Sequence, residues 1–500
     1  MKNIWYATLA ILLIISHLSL YQYAHDDAYI HFRIAQNWIN FGSPLYNPDT
    51  PGVMTSSSPI WTLFLTILFL LFGTSLKTIA VANALISTAT TFTWATFLKT
   101  IKPNLKISPN IVSLILLSGF LSSSITLMES PLALLFLGLA LNHYLRRDPL
   151  AYLYFSLAAF TRYEFLVTLA VFSAYDLLVR RDKSFQILCT LGSALAVLLS
   201  FQMTIFGTLY PQALKAKKVV YDLSQTEVIK GFFHGLFSEA IATKYPWVTP
   251  AYAIVVFALA VCIILVKSDK VFSRMQAHRA ALMLLFISTL LILTSYLLTK
   301  SLIFPWYYPL FLLPFITLGL ISYQDSRSIL SKALLFVLYT PLLAILIKDI
   351  SACVGFKQNL SGFVTGARAR QYVTIGQMIN TRYPKATVLA PEIGGLGYGF
   401  KGKIIDAVGL ASPEAVSYHP LAVPSERSSG LIGAIPPELV RDKDPDIIVS
   451  HDIFMQALSK TDLLKRYDHW QYSIFPLQDS ALMNRSSLWG SRYLNVYIKK

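Results

Sequence analysis

This chain is short of charge. Asp, Glu, Lys and Arg make up 14% of its 500 residues, against about 25% in soluble proteins. Apolar residues make up 55%, and the mean hydropathy is +0.55. A string of soluble domains is excluded. The shortage is uneven: residues 1–348 carry long uncharged runs, whereas 349–500 read as an ordinary water-facing domain. Two units are therefore expected, a membrane domain over 1–348 and a soluble domain over 349–500. Cysteine is scarce too. Cys189 and Cys262 lie in apolar runs and Cys353 stands alone in the soluble part, which excludes an internal disulfide there and any Cys-based metal site. Acidic residues, 26 against 42 basic ones, leave a net charge of +16. No basic stripe with interleaved aromatics accompanies that charge outside the membrane part, so no nucleic-acid partner is expected. The Lys and Arg residues fall instead in short loops between apolar runs, where the lipid bilayer and its anionic headgroups account for them.

Runs 78–98, 107–128, 247–266, 280–299 and 301–324 are uncharged and long enough to cross about 30 Å of hydrocarbon as helices. Runs 4–24, 130–145, 184–206 and 329–347 are further candidates, and 149–161 and 163–179 read as a short pair packed inside protein. The basic groups Lys99–Lys106, Arg146–Arg147, Arg180–Lys183, Lys267–Arg274 and Arg327 then orient the chain. Placing all of them in the cytoplasm predicts about eleven crossings, with 59–75 re-entrant or interfacial. The expected location is a bacterial inner (plasma) membrane, with residues 21–58, the turns near Glu129, Arg162 and Lys300, the loop 207–246 and everything after 349 on the periplasmic or extracellular side. The fold class expected is mainly α, a polytopic helical membrane domain followed by a soluble α/β domain. The first run, with only Lys2 before it, reads as an uncleaved anchor.

That orientation collects the unusual polar residues on one face. Ionisable groups at membrane depth are costly and mark functional sites. Asp26 and Asp27 follow the first run, and Arg33 comes six residues after Asp27 on what reads as a membrane-parallel amphipathic helix. Glu129, Arg162 and Glu164 sit at turns, Lys215 and Lys217 in the loop after 206, and Lys300 just before Trp306 and Tyr307. A carboxylate suits removal of a proton from an acceptor hydroxyl, and cations suit the charge that develops on a phosphate leaving group. Structural readings stay open beside these: interfacial caps for the Asp pair, a solvated face for Lys215–Lys218, an aromatic belt for Trp306–Tyr308, and a structural ion pair for Glu129 and Arg162. His25, Asp27 and His31 are the one spacing that can hold a metal, and whether a divalent metal is required stays open.

The run DDAYIHFRIAQNWINFGSPLYNP at 26–48 resembles the first outer loop of the GT-C superfamily of polyprenyl-phosphate-sugar glycosyltransferases. More narrowly, it is similar to the bacterial group containing the terminal β-(1→2) arabinofuranosyltransferases of mycobacterial cell walls. MESPLALLFL at 128–137, TRYE at 161–164, FGTLYPQALKAK at 206–217 and GYGFKGKIIDAVGLASPE at 397–414 resemble further elements of that family, in the same order. The resemblance implies a polyprenyl-phosphate-linked sugar as donor, inverting transfer on the outer face, and a cell-envelope glycan or glycoconjugate as acceptor. It maps the family's acidic pair onto Asp26 and Asp27, one of them the base, and Arg33, Glu129, Arg162, Glu164, Lys215, Lys217, Lys300, Trp306 and Tyr307 are the candidate substrate contacts. The donor sugar, pentose (arabinofuranose included) or hexose, stays open, because Tyr163 stands where the family has Pro.

In the soluble part, 386–392, 403–409, 445–451 and the last residues read as strands, with helix over 367–382 and 452–466. GGLGYG at 394–399 lacks the strand and spacing of a nucleotide-binding turn and reads as a tight turn. The domain is expected to cover the membrane site. A transporter or flippase of a lipid-linked sugar is the alternative reading; it calls for polar groups at mid-membrane and repeats.

Overall fold

The computed structural model describes residues 2–50, 52–105, 107–181, 183–221, 223–229, 276–325, 364–421, 435–473 and 493–500. The expected spans 247–266 and 329–347, the basic groups at 267–274 and 327, and Cys262 and Cys353 lie outside these. The helices, in chain order, are α1 (Lys2–Leu20), α2 (Asp26–Phe41), α3 (Pro59–Phe72), α4 (Leu76–Ile101), α5 (Pro109–Ser118), α6 (Leu121–Ile125), α7 (Ser130–Leu145), α8 (Leu150–Thr161), α9 (Phe165–Tyr175), α10 (Ser184–Phe206), α11 (Gln212–Tyr221), α12 (Gln276–Leu298), α13 (Pro309–Asp325), α14 (Val364–Arg382), α15 (Gly394–Gly399) and α16 (Pro437–Lys443).

The count of about eleven crossings is corrected. Among the described residues three helices are long and apolar enough to span, Ile4–Tyr23, Ser184–Phe206 and Ala280–Leu298. The other apolar runs fold into shorter pieces, for identifiable reasons. Run 107–128 breaks at Gly119 and Phe120 between α5 and α6, where a Cβ on Gly119 would stand 2.8 Å from Ile316 of α13. Run 301–324 begins as a 3₁₀ turn at Pro305–Tyr307 and becomes helix only from Pro309. α4 has 26 residues, but Asn83, Ser87, Thr90 and Thr91 dilute its hydropathy and point inward. α3, with 14 residues, rises ~21 Å and is too short to cross.

The soluble part carries one sheet in the order β2-β1-β3-β5-β4. Its strands are β1 (Val388–Ala390), β2 (Ile404–Asp406), β3 (Ile447–His451), β4 (Tyr467–Ser473) and β5 (Tyr493–Lys499). The first three run parallel, and β5 is antiparallel to both β3 and β4. Strand β4 lies where the sequence ends its expected helix, and 452–466 forms 3₁₀ turns instead. Tyr372, Ile375, Val388, Leu396, Ile404 and Ile447 share one hydrophobic core with Ile30 and Ile34 of α2 and Ala213, Ala216 and Val220 of α11. The sheet and the outer-loop helices are thus packed as a continuous body. Helix α2 is not half exposed, as an amphipathic surface helix would be. Residues Ala28–Asn37 are all buried, because α3 packs on one side and α15 on the other.

Candidate active site

Asp26 and Asp27 open α2, and adjacent helical side chains diverge by about 100°. They take different partners. The Asp26 Oδ2 accepts the Gly394 N–H at 2.9 Å, and its Oδ1 accepts the Gly395 N–H at 2.8 Å. Burial raises the Asp26 pKa, and the two amides oppose that rise. The glycines are dictated by approach: a Cβ on Gly394 would stand 1.8 Å from the Asp26 carbonyl oxygen. GGLGYG is therefore neither a nucleotide loop nor a free turn. It is a short helix pressed against α2.

Arg33, expected among the phosphate-binding cations, serves the same junction. Its Nε donates to Tyr46 O at 2.8 Å; Nη1 to Gly397 O at 2.9 Å and Phe400 O at 2.7 Å; Nη2 to Gly402 O at 2.8 Å and Asn47 Oδ1 at 3.4 Å. A guanidinium has five N–H groups, so none is left for a phosphate.

Asp27 faces the other way. Its Oδ2 accepts from Lys217 Nζ at 3.2 Å, and the two side chains are 28% and 20% exposed, open enough for a ligand to reach. The Lys217 ammonium lies 4.6 Å from the centre of the Phe304 ring. Phe304 stacks on Trp306, which meets the buried His25 ring at 4.7 Å. Deeper in the chain's core, Arg162 donates to Glu129 Oε1 and to Glu164 Oε1, each at 2.5 Å, and through Nε to Glu164 Oε2 at 3.1 Å. Its guanidinium lies 4.1 Å from the centre of the Tyr307 ring. Tyr296 donates its hydroxyl to Glu164. The Glu129 Oε2 is buried without a hydrogen-bond partner among the described residues.

His31 connects the two groups. It is buried, with Nδ1 3.1 Å from Ser56 Oγ and 3.3 Å from Thr62 Oγ1. Burial lowers its pKa; Glu129 and Asp27 act to raise it, and Arg162 and Lys217 to lower it. One ring therefore feels all four ions. Lys215 and Lys300 are exposed, the latter in a left-handed turn at φ 53°. Among the described residues, neither makes an ion pair with this group, and no set of three or more His, Cys, Asp and Glu side chains is grouped to hold a metal.

Three residues that sequence reasoning missed adjoin Asp26. Arg368 Nη2 pairs with Glu392 Oε1 at 2.7 Å, and His451 Nε2 lies 3.8 Å from Glu392 Oε2. Charges in a water-facing domain give no signal of their own, and burial is what sets these apart. Burial pushes the Glu392 pKa up to about 7, against the pull of Arg368. Burial likewise pushes Asp406 up to about 6, against the Ala411 and Val408 amides. A carboxyl that binds its proton more tightly folded than unfolded loses stability as pH rises. Stability is therefore expected to fall between the unfolded value near 4.5 and about pH 7, by up to roughly 3 kcal/mol for Glu392. Glu392→Gln should flatten that slope in pH-dependent melting; an unchanged slope would rule Glu392 out as its source.

A family model described as "Domain of unknown function (DUF8728)" matches residues 359–497. No curated protein matches the sequence. Among solved structures, ArnT from Cupriavidus metallidurans bound to undecaprenyl phosphate superposes with a TM-score of 0.52 at 11% identity, over 99% of this chain and 97% of that one. The chain shares the fold of ArnT. The apo state of ArnT (TM-score 0.48, 12% identity, 99% of this chain and 98% of that one) and arabinofuranosyltransferase AftD from Mycobacteria (0.46, 14%, 100% and 40%) also match.

Proposed function

We propose that this protein is an inverting glycosyltransferase that moves a sugar from a polyprenyl-phosphate donor to a cell-envelope glycan or glycoconjugate hydroxyl on the outer face of the membrane. The observation that carries this reading is the Asp27–Lys217 pair at 3.2 Å, beside the Arg162, Glu129 and Glu164 ions. The ArnT fold supports it, since the matching ArnT structure holds undecaprenyl phosphate, a lipid phosphate of the donor's class.

The chemistry follows from which groups have capacity left. The donor phosphate takes over the Lys217 ammonium, and Asp27 is released to accept the proton of the acceptor hydroxyl. The acceptor oxygen bonds to C1 from the face opposite the phosphate, and the C1–O bond to phosphate breaks. Its electron pair stays on the phosphate oxygen, where Lys217 stabilises the charge. Arg162 holds Glu129 and Glu164 in place, and the Glu129 Oε2, which has no hydrogen-bond partner among the described residues, receives a sugar hydroxyl. Tyr307 and Trp306 line the sugar. The part from residue 349 onward covers the acceptor side. A pentose such as arabinofuranose and a hexose are both compatible with these groups.

Transfer from a panel of synthetic polyprenyl-phosphate sugars tests the proposal and names the sugar. Lys217→Ala should weaken donor binding by about one to two decades. Unchanged donor affinity would remove Lys217 from the phosphate site. Transmembrane movement of lipid-linked sugar in vesicles, with no sugar transfer from any donor, would make the protein a flippase.

A further inference from the structure

Helix α11 carries Lys217 and lies in the first part of the chain, yet its bed is made by the soluble part. Ala213, Ala216 and Val220, at the i, i+3 and i+7 positions of one helix face, are buried in a core with Val408, Leu410 and Val416. Among the described elements, the 3₁₀ turn Pro413–Tyr418 packs most extensively on α11. The start of the helix is pinned twice. The Gln212 N–H donates to Met54 O at 2.9 Å, and the Gln212 Nε2 donates to Gly409 O, 197 residues further on, at 3.1 Å.

The loop that supplies Gly409 is itself fixed. Asp406 is fully buried. Its Oδ1 accepts the Val408 N–H at 2.9 Å, and its Oδ2 accepts the Ala411 N–H at 2.8 Å. The Gly409 N–H donates to Asp406 O at 3.1 Å. Gly409 has a φ of 93°, and a Cβ there would stand 2.6 Å from Val416 Cγ2. Backbone and space therefore both require glycine. A carboxylate that holds an amide on either side of Gly409 fixes the direction of its carbonyl. The proposed transfer has no other use for Asp406. Lys217 follows Ala216, which is buried in this seam, and its ammonium meets Asp27 Oδ2 at 3.2 Å. Side-chain ends stand about 5–6 Å from a helix axis, so a roll of α11 by roughly 20° would carry the ammonium ~2 Å and break that pair.

We propose that the soluble part builds the donor side of the site: Gln212, held by Gly409 and the Asp406 loop, is a positioning residue that sets Lys217. The inference rests on the reading of Lys217 as the donor-phosphate cation, and its test separates the two. Full-length protein in nanodiscs is acylated at Lys217 without donor, the rate being read by peptide mass spectrometry. Binding of undecaprenyl phosphate is measured beside it. Gln212→Leu keeps the bulk and loses the Gly409 bond. It should raise the acylation rate about threefold and weaken undecaprenyl phosphate binding about threefold to tenfold. Ala216→Leu, which overfills the seam, should do both more strongly. In a Lys217→Ala background, Gln212→Leu should weaken binding no further. Leu439→Ala leaves a cavity in the core on the opposite face of the sheet. It should lower the melting temperature and leave both readouts at the native level. Native acylation rates in Gln212→Leu and Ala216→Leu overturn the inference. So does further weakening in the Lys217→Ala background, or an equal change in Leu439→Ala. Faster acylation with native binding in both variants would uphold Gln212 as setting Lys217 and overturn the phosphate reading.

Discussion

Replacing Asp27 by Asn is expected to lower turnover by about two to four decades, the usual contribution of a positioned general base, while donor binding persists. Asn keeps the shape and loses the proton acceptor. It also removes a carboxylate 3.2 Å from the Lys217 ammonium, a charge that competes with a donor phosphate, so donor affinity should stay level or rise. The measurement is single-turnover transfer beside direct donor binding. Asp26→Asn supplies the contrast. Its two carboxylate oxygens accept amides from Gly394 and Gly395, and an Asn side chain has only one oxygen to offer. That variant should lose folded yield, and what folds should still turn over. Near-normal turnover in Asp27→Asn would move the base to Glu129, whose Oε2 is buried with no hydrogen-bond partner among the described residues, or to Glu164.

The second large effect is expected at Arg33. Arg33→Ala strands four backbone carbonyls, those of Tyr46, Gly397, Phe400 and Gly402, and opens a cavity in a residue 2% exposed. Each stranded acceptor costs about 1–3 kcal/mol, and the losses do not add fully. A net loss on the order of 4 kcal/mol is expected. The sheet should detach from α2 and become sensitive to protease. Arg33→Lys should rescue little, because one ammonium cannot reach carbonyls set around a planar fork. Protease resistance and melting unchanged in Arg33→Ala would mean the junction is held by its apolar core alone, and lost donor binding with intact docking would return Arg33 to the phosphate.

Local pattern was enough to read α2, α10 and most of the strands, because each is set by residues near in sequence. The different orientation of Asp26 and Asp27 also follows from the helical angle alone. What escaped was fixed by distant partners. GGLGYG reads as a turn until Asp26, more than 360 residues earlier, is seen taking its amides. Arg33 reads as a ligand for phosphate until Tyr46, Asn47 and the carbonyls of Gly397, Phe400 and Gly402 are seen to use every N–H. The crossing count failed for a related reason. Apolar runs report only that a segment avoids water, and whether Gly119 lets another helix pass close enough to interrupt the run is a property of packing. Arg368, Glu392 and His451 look like surface charges in a soluble sequence, and only the fold buries them.

Helices α8 and α10 start side by side, where Lys183 meets Arg147, but they have 12 and 23 residues, or ~18 and ~35 Å. Arg162 follows the end of the shorter one, and the hydroxyl of Tyr163 beside it meets Gln202, near the end of the longer one, at 3.1 Å. On the proposed reading, the level of Arg162 and Lys217 is set by protein, and the height at which a donor's headgroup floats is set by lipid. Hydrophobic mismatch therefore enters the rate. In bilayers of lengthening acyl chains a polyprenyl phosphate must be drawn further from its resting plane to reach Lys217 and Arg162, so transfer should slow with membrane thickness with no side chain altered.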